Sequence, residues 1–196
     1  MTEEISTQIL DAAEVRFQTY GFGKTTMAEI ASDVDMSTAN LYRYFENKLA
    51  IGAAMASRCF GDREAILTEV VNRAGISESE RLEIFVLAML SYGYSQFSDE
   101  PKISELVDVI VKKRPDLVQC QIQSDTNFIT TILQQGCDSN EFKIENVEEM
   151  SSYVLSAIVK FSSPFFIHMF PIEELKRLAK GVVALIINGL VKKEIK

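Results

Sequence analysis

Histidine is nearly missing from this chain, since His168 is the only one among 196 residues. Cysteine is scarce too: Cys59, Cys120 and Cys137 stand far apart, with no Cys-x-x-Cys spacing. Together these shortages leave no ligand set for a zinc site. An odd number of scattered cysteines behind no signal peptide reads as reduced thiols in a cytoplasmic protein, while a redox-sensing role for one of them stays open. Long apolar runs are also lacking. The longest, Gly181 to Val191, is interrupted by Asn188, flanked by lysines and too short to span a bilayer, so no membrane partner is expected. No stretch alternates as a strand does, nothing repeats, and no tract is of low complexity. Nucleophile elbows and paired-histidine motifs are absent, and the carboxylates are scattered over polar helix faces; neither an enzyme nor a cofactor is expected.

Positive charge is in short supply as well. Lys and Arg number 20 against 28 Asp and Glu, a formal net charge of -8, which excludes a general nucleic-acid sponge. Even residues 1 to 48 are acidic, with Arg16, Lys24, Arg43 and Lys48 facing Glu3, Glu4, Asp11, Glu14, Glu29, Asp33, Asp35 and Glu46. Between Met36 and Lys48 the balance turns slightly positive. Any nucleic-acid contact must therefore be local, release few counterions and depend only shallowly on salt.

What is present is a periodic, apolar-rich chain whose most informative stretch is Gly21 to Lys48. Thr26 followed three residues later by Glu29 is a capping box and predicts a helix from Met27 that buries Ile30, Ala31 and Val34. Asp35-Met36-Ser37 makes a short turn, and Ser37 caps a second helix expected to run through Phe45. At about 100° per residue, Leu41 and Phe45 share one face of that helix, with Ala39, Asn40 and Arg43 opposite. Asn suits adenine and Arg suits guanine in a major groove. Thr38, Tyr42 and Tyr44 flank this face and would reach phosphates, as would the backbone amides opening the Met27 helix, and Lys48.

Thr25 to Ala31, then Met36-Ser37, then Leu41 to Phe45 and Lys48, resemble the amino-terminal DNA-binding signature of the tetracycline-repressor-like (TetR) family of bacterial transcription regulators. The likeness covers roughly the first quarter of the chain. Asp35 departs from it, standing where the family commonly has glycine, although Asp tolerates the left-handed conformation better than most residues. The resemblance implies DNA contacts at Thr26, Met27 through its backbone, Ser37, Thr38, Asn40, Tyr42, Tyr44 and Lys48. It also implies that the helix from Lys48 transmits ligand-driven motion.

The remaining chain reads as helices throughout. Ile9, Leu10, Ala13 and Phe17 mark a supporting helix that ends at Gly21 and Gly23. Asn47 caps a helix from Lys48, either unbroken through Gly61 to Arg73 or followed by a second helix from Arg63 to Asn72. Ser77 and Glu80 form another capping box, and Pro101 suits the first turn of the next helix. Lys112-Lys113-Arg114 is a solvated helix end or a seat for a phosphate-bearing ligand. A helix from Pro115 reaches Gln135 and is expected to stop at Gly136. Further helical patterns follow, from Val147 to the interruption at Pro164 and again after Pro171.

The expected architecture is all-α. Residues 1-48 form a three-helix DNA-binding domain, and residues 49-196 form a helical ligand-binding and dimerisation domain. Tyr92, Tyr94, Phe97, Cys120, Asn127, Phe128, Phe161, Phe165, Phe166 and His168 line an apolar ligand pocket or simply form core. Val154, Ile158, Leu175, Leu178, Val182, Leu185, Ile186 and Leu190 form the candidate dimer surface, because the last helix is apolar nearly all round. The expected partners are a palindromic double-stranded DNA operator, a second copy of the chain and a small hydrophobic or amphipathic effector that relieves repression. The alternative is a helical ligand- or protein-binding module that does not engage DNA.

Overall fold

A computed structural model of the chain describes residues 2-98, 102-167 and 169-190, and among these the secondary structure is helical, without a strand. Ten α-helices follow one another: α1 (Thr2–Tyr20), α2 (Met27–Asp33), α3 (Thr38–Leu41), α4 (Lys48–Val71), α5 (Glu78–Phe97), α6 (Ile103–Lys113), α7 (Pro115–Asp138), α8 (Val147–Ile158), α9 (Pro164–Ile167) and α10 (Ile172–Leu190). A single 3-10 turn, Val159–Phe161, separates α8 from α9. The expected starts at Thr26, Ser37, Asn47 and Ser77 all hold, because each is set by a side chain that accepts an amide three residues ahead. Pro101, expected in the first turn of α6, lies outside the described residues, as does Val191 at the end of the apolar run.

The chain divides into two compact units whose bounds differ from a cut at Lys48. Met1–Gly61 and Asp99–Gln119 make the first, and Asp62–Ser98 and Cys120–Lys196 the second. In the first, α1 buries Ile9, Ala13 and Phe17 completely, at four-residue spacing. Phe17 meets Phe22 at 5.0 Å between ring centres, and Ile51 of α4 is fully buried. α6 joins this unit through long-range contacts. Ile103, Leu106 and Ile110 are buried, and Leu106 presses so close to Gly52 that a Cβ there would sit 2.7 Å from Leu106 Cδ1. The sequence pattern of α6 shows an apolar face but not which helices it meets, so the unit boundary was not visible in it.

The second unit holds the larger core. Phe85, Met89 and Leu90 of α5, Ile129, Ile132 and Leu133 of α7, Ile158 and Phe161, and Leu175, Ala179 and Val183 of α10 belong to one apolar cluster. Burying each large side chain there contributes about 1.5–3 kcal/mol. Gly136 does not stop α7, which runs on to Asp138. Its lack of a side chain serves packing instead, because a Cβ at Gly136 would lie 2.1 Å from the Phe142 ring. Likewise α4 is one unbroken helix through Gly61 to Val71. Val147 to Ile167 is long and apolar enough to cross a membrane by length and composition. The 3-10 turn and Pro164 break it, and its Ser151, Val154, Ile158 and Phe161 are buried in this unit.

Charged devices sit against that core. Arg63 donates to Asp125, which also accepts from Gln121 at 3.0 Å, and Asp125 is only 5% exposed. Burial pushes the Asp125 carboxyl above its ordinary value, against the pull of Arg63. Arg81 is nearly as buried and donates to the carbonyls of Val70, Val71 and Arg73, satisfying the orphan acceptors at the end of α4. At the opposite kind of terminus, Glu141 accepts from the amides of Glu78 and Ser79 at 2.8 and 2.9 Å, adding a carboxylate to the start of α5 beside the Ser77 cap.

Candidate nucleic-acid interface

Capping chemistry builds the helix-turn-helix. Thr26 is the N-cap of α2; its hydroxyl accepts from Glu29 N at 3.3 Å, while the Glu29 carboxylate accepts from Thr26 N and Oγ1, each at 2.8 Å. These two donors hold the Glu29 carboxyl below the usual carboxylate range. Arg16 of α1 donates to both oxygens of Asp33 and so ties the end of α2 to the supporting helix. Asp35 takes up a left-handed φ of 51°, as the turn requires in place of glycine. Met36 N donates back to Ala31 O at 3.0 Å and closes the reversal.

Ser37 then caps α3, accepting from Asn40 N at 3.2 Å. Four residues are too few for a helix to stand alone, so α3 depends on Leu41, which is fully buried. The expected helix through Phe45 is shorter than that. After Tyr42 the bonds tighten, with Arg43 N donating to Asn40 O and Tyr44 N to Leu41 O, each at 3.0 Å. A turn of three residues per revolution eclipses positions three apart, so Asn40 and Arg43 align on one edge. Ala39, Tyr42 and Arg43 are exposed, Tyr42 to 52%. Thr26 and Ser37 are exposed too, Thr38, Asn40 and Tyr44 are half-buried, and Met27 is buried, so only its backbone is available.

Lys48, expected from the resemblance to meet DNA, is half-buried and engaged within the protein. Its ammonium donates to the carbonyls of Phe22, Gly23 and Thr25 at 2.5, 3.3 and 2.6 Å, and lies 4.5 Å from the centre of the Phe22 ring. Burial lowers its pKa, while Glu105 and Glu29 work against that shift. The same turn is gripped from α6, where Glu105 accepts from Gly23 N at 3.0 Å. Gly21 has a φ of +88°, and a Cβ there would lie 2.7 Å from both Glu105 oxygens. Sequence reasoning missed Glu105, and no local signal marks a contact across 82 residues.

The residues offered as a ligand pocket differ widely in exposure. Phe161 is 2% exposed and belongs to the core, and Phe128 packs against Phe85 at 6.1 Å. Cys120 and Asn127 face solvent from α7, and Phe165 is 69% exposed, in an edge contact with Phe166. Tyr92, Tyr94, Phe97 and Phe166 are half-buried. His168 lies outside the described residues. The suggested dimer surface also divides. Val154, Ile158, Leu175 and Leu190 are at most 4% exposed within the chain's own core, so they are spent before a partner arrives. Leu178, Val182 and Ile186 remain half-buried and Leu185 is 74% exposed.

A capped helix-turn-helix that buries Leu41 and exposes a guanidinium and a phenol, among described residues that are otherwise helical, defines a helix-turn-helix DNA-binding protein with a helical body. Residues 9–55 match the family model for bacterial regulatory proteins of the tetR family, and residues 79–183 match that for the tetracyclin repressor-like C-terminal domain. The chain belongs to the TetR family of DNA-binding transcriptional regulators, whose members are regulators rather than enzymes. A transcriptional regulator from Cytophaga hutchinsonii superposes with a TM-score of 0.71 at 25% identity, covering 94% of this chain and 97% of that one. A putative TetR-family transcriptional regulator from Mesorhizobium loti superposes at 0.75 with 15% identity, covering 98% and 99%. The transcriptional regulator FadR from Bacillus subtilis in complex with stearoyl-CoA does so at 0.67 with 18% identity, covering 93% and 98%. No curated protein matches the chain.

Proposed function

We propose that this regulator acts in the bacterial cytoplasm as a homodimeric repressor, each subunit laying α3 into one half of a palindromic operator, and that a small hydrophobic or amphipathic molecule releases it. The observation that carries the DNA reading is the contrast along α3, where Leu41 is fully buried and Tyr42 half exposed beside an exposed Arg43. Asn40 and Arg43 read base edges, and Thr26, Ser37, Thr38, Tyr42 and Tyr44 set register on phosphates. Two-fold symmetry of the protein then mirrors that of the site.

Dimerisation rests on the outward stripe of α10, Leu178, Val182, Leu185 and Ile186, at helical spacing. Exposed Gly181 and Ala184 beside them allow close helix approach. An effector would use the half-buried aromatics Tyr92, Tyr94, Phe97 and Phe166 of the second unit, and a long-chain acyl compound is among the chemistries such a surface suits. Release requires that the effector prefer a conformation in which the two recognition helices are wrongly spaced.

Duplexes enriched from a randomised library test the central reading, with binding followed by fluorescence anisotropy. Arg43→Ala is expected to weaken the best site by about 1–3 kcal/mol and to relax preference at one base pair. Equal affinity of the variant and the parent for that site would remove Arg43 from base readout, and failure of the parent to enrich any duplex would remove the repressor.

A further inference from the structure

Binding to the DNA backbone draws on cations that the fold leaves unspent, because an ammonium or guanidinium already neutralised inside the protein releases no counterion when a phosphate arrives. Four cations lie between Thr2 and Lys48. Arg16 is held by Asp33 and lies 3.5 Å from Glu29, and the half-buried Lys48 has its ammonium engaged on three carbonyls. Lys24 and Arg43 are exposed, and their side chains make no hydrogen bond or ion pair with any described residue. Arg43 stands in the turn after α3 and is already assigned to base edges, so Lys24 remains without a task.

Lys24 occupies a built position. The carbonyls on either side of it, those of Gly23 and Thr25, both accept from the Lys48 ammonium, and Gly23 N is held by Glu105. Thr25 is buried, and its hydroxyl donates to Gly21 O at 3.0 Å, which locks the next residue too. The backbone that carries Lys24 is thus fixed from inside while its side chain points out. It borders a groove of about 290 Å³ lined by Arg16, Tyr20, Lys24, Thr25 and Glu29. Tyr20 is 54% exposed, with its ring 5.7 Å from the Arg16 guanidinium. Glu29 brings the groove's negative charge, but its carboxylate is occupied by Thr26 and Arg16. With Arg16 paired to Asp33 and Glu29, the Lys24 ammonium is the positive charge of the lining that no described residue pairs.

We infer that this groove is a seat for one phosphodiester of the DNA backbone, gripped by the Lys24 ammonium and the Tyr20 hydroxyl, and that Lys48 braces the seat from within instead of touching DNA. The inference rests on the DNA-binding reading and adds two residues to it while removing one. Lys48 and Glu105 are positioning residues: they hold the Gly21 to Thr25 turn in the shape that presents Lys24 beside Thr26, the first residue of the helix-turn-helix proper. Neither Lys24 nor Tyr20 reads sequence, so their contribution is the same on every duplex.

The test measures affinity of the full chain for its best duplex and for an unrelated duplex across a range of salt concentrations, for the parent, Lys24→Gln, Lys24→Arg and Lys48→Gln. Lys24→Gln is expected to weaken both duplexes by one common factor and to flatten the log–log salt slope by about one per subunit, with melting temperature unchanged. Lys24→Arg should restore the slope. Lys48→Gln should lower the melting temperature and leave the slope of the remaining folded protein as it was. A parental slope in Lys24→Gln overturns the seat while leaving DNA binding intact, as does a flattened slope in a fully folded Lys48→Gln. A parent that binds no duplex removes the DNA-binding reading and the seat with it.

Discussion

The two units of this chain are held together by different physics. In the first, short elements are pinned by polar clamps: the Thr26–Glu29 box, the Ser37 cap, Arg16 on Asp33, and the Lys48 ammonium on three carbonyls. In the second, long helices close over one apolar cluster, with charge admitted where Arg63 meets Asp125 and where Arg81 meets Glu78 and the end of α4. Polar clamps of this sort are each worth about 1 kcal/mol, whereas a defect inside a packed core costs several. The contrast suits a reader of DNA. A surface that exposes Ala39, Arg43 and Lys24 to water does not bury them, so its shape has to come from caps and carbonyls.

The comparison breaks most readily at its buried charges. Asp125→Asn leaves Arg63 without a counter-charge in a site that is already closed, and is expected to cost the second unit about 3–5 kcal/mol. Urea unfolding followed by circular dichroism reads this directly, and a loss under 1 kcal/mol would mean that water reaches the pair. Gly136→Ala comes next. It drives a methyl into the Phe142 ring, so about 1–3 kcal/mol of overpacking is expected. Hydrogen exchange should place that loss in α7 and the helices of its cluster, sparing α1 and α2. The smallest effect belongs to the first unit, where Thr26→Ala removes a cap worth about 1 kcal/mol. Faster amide exchange confined to α2, together with weaker binding to every duplex, is the outcome that keeps the contrast. An effect on α5 or α10 would erase it.

The legible parts of this protein were the local ones. Thr26 with Glu29, and Ser37 with Asn40, act across three residues, so the sequence alone contains both partners of each bond. Asp35 in the left-handed turn and Leu41 as the anchor of α3 follow from the same short range. The burial of the residues proposed for dimerisation and for a ligand was only half legible, because helical spacing marks an apolar stripe without saying what covers it. Val154, Ile158, Leu175 and Leu190 were covered by their own chain, and Leu185 was not.

Neighbours within one helical turn settle that the chain is helical, where four of its helices begin and that Leu41 is the anchor of α3, so these were fixed by the residues in order along the chain. The tertiary structure alone decided that Lys48 spends its charge on the Phe22 to Thr25 carbonyls, that Glu105 grips Gly23, that Gly136 makes room for Phe142 and that Arg63 finds Asp125. Most of these partners lie more than twenty residues apart, and all of them meet only when loops close and helices pack. No periodicity along the chain records which groups will face one another across that gap.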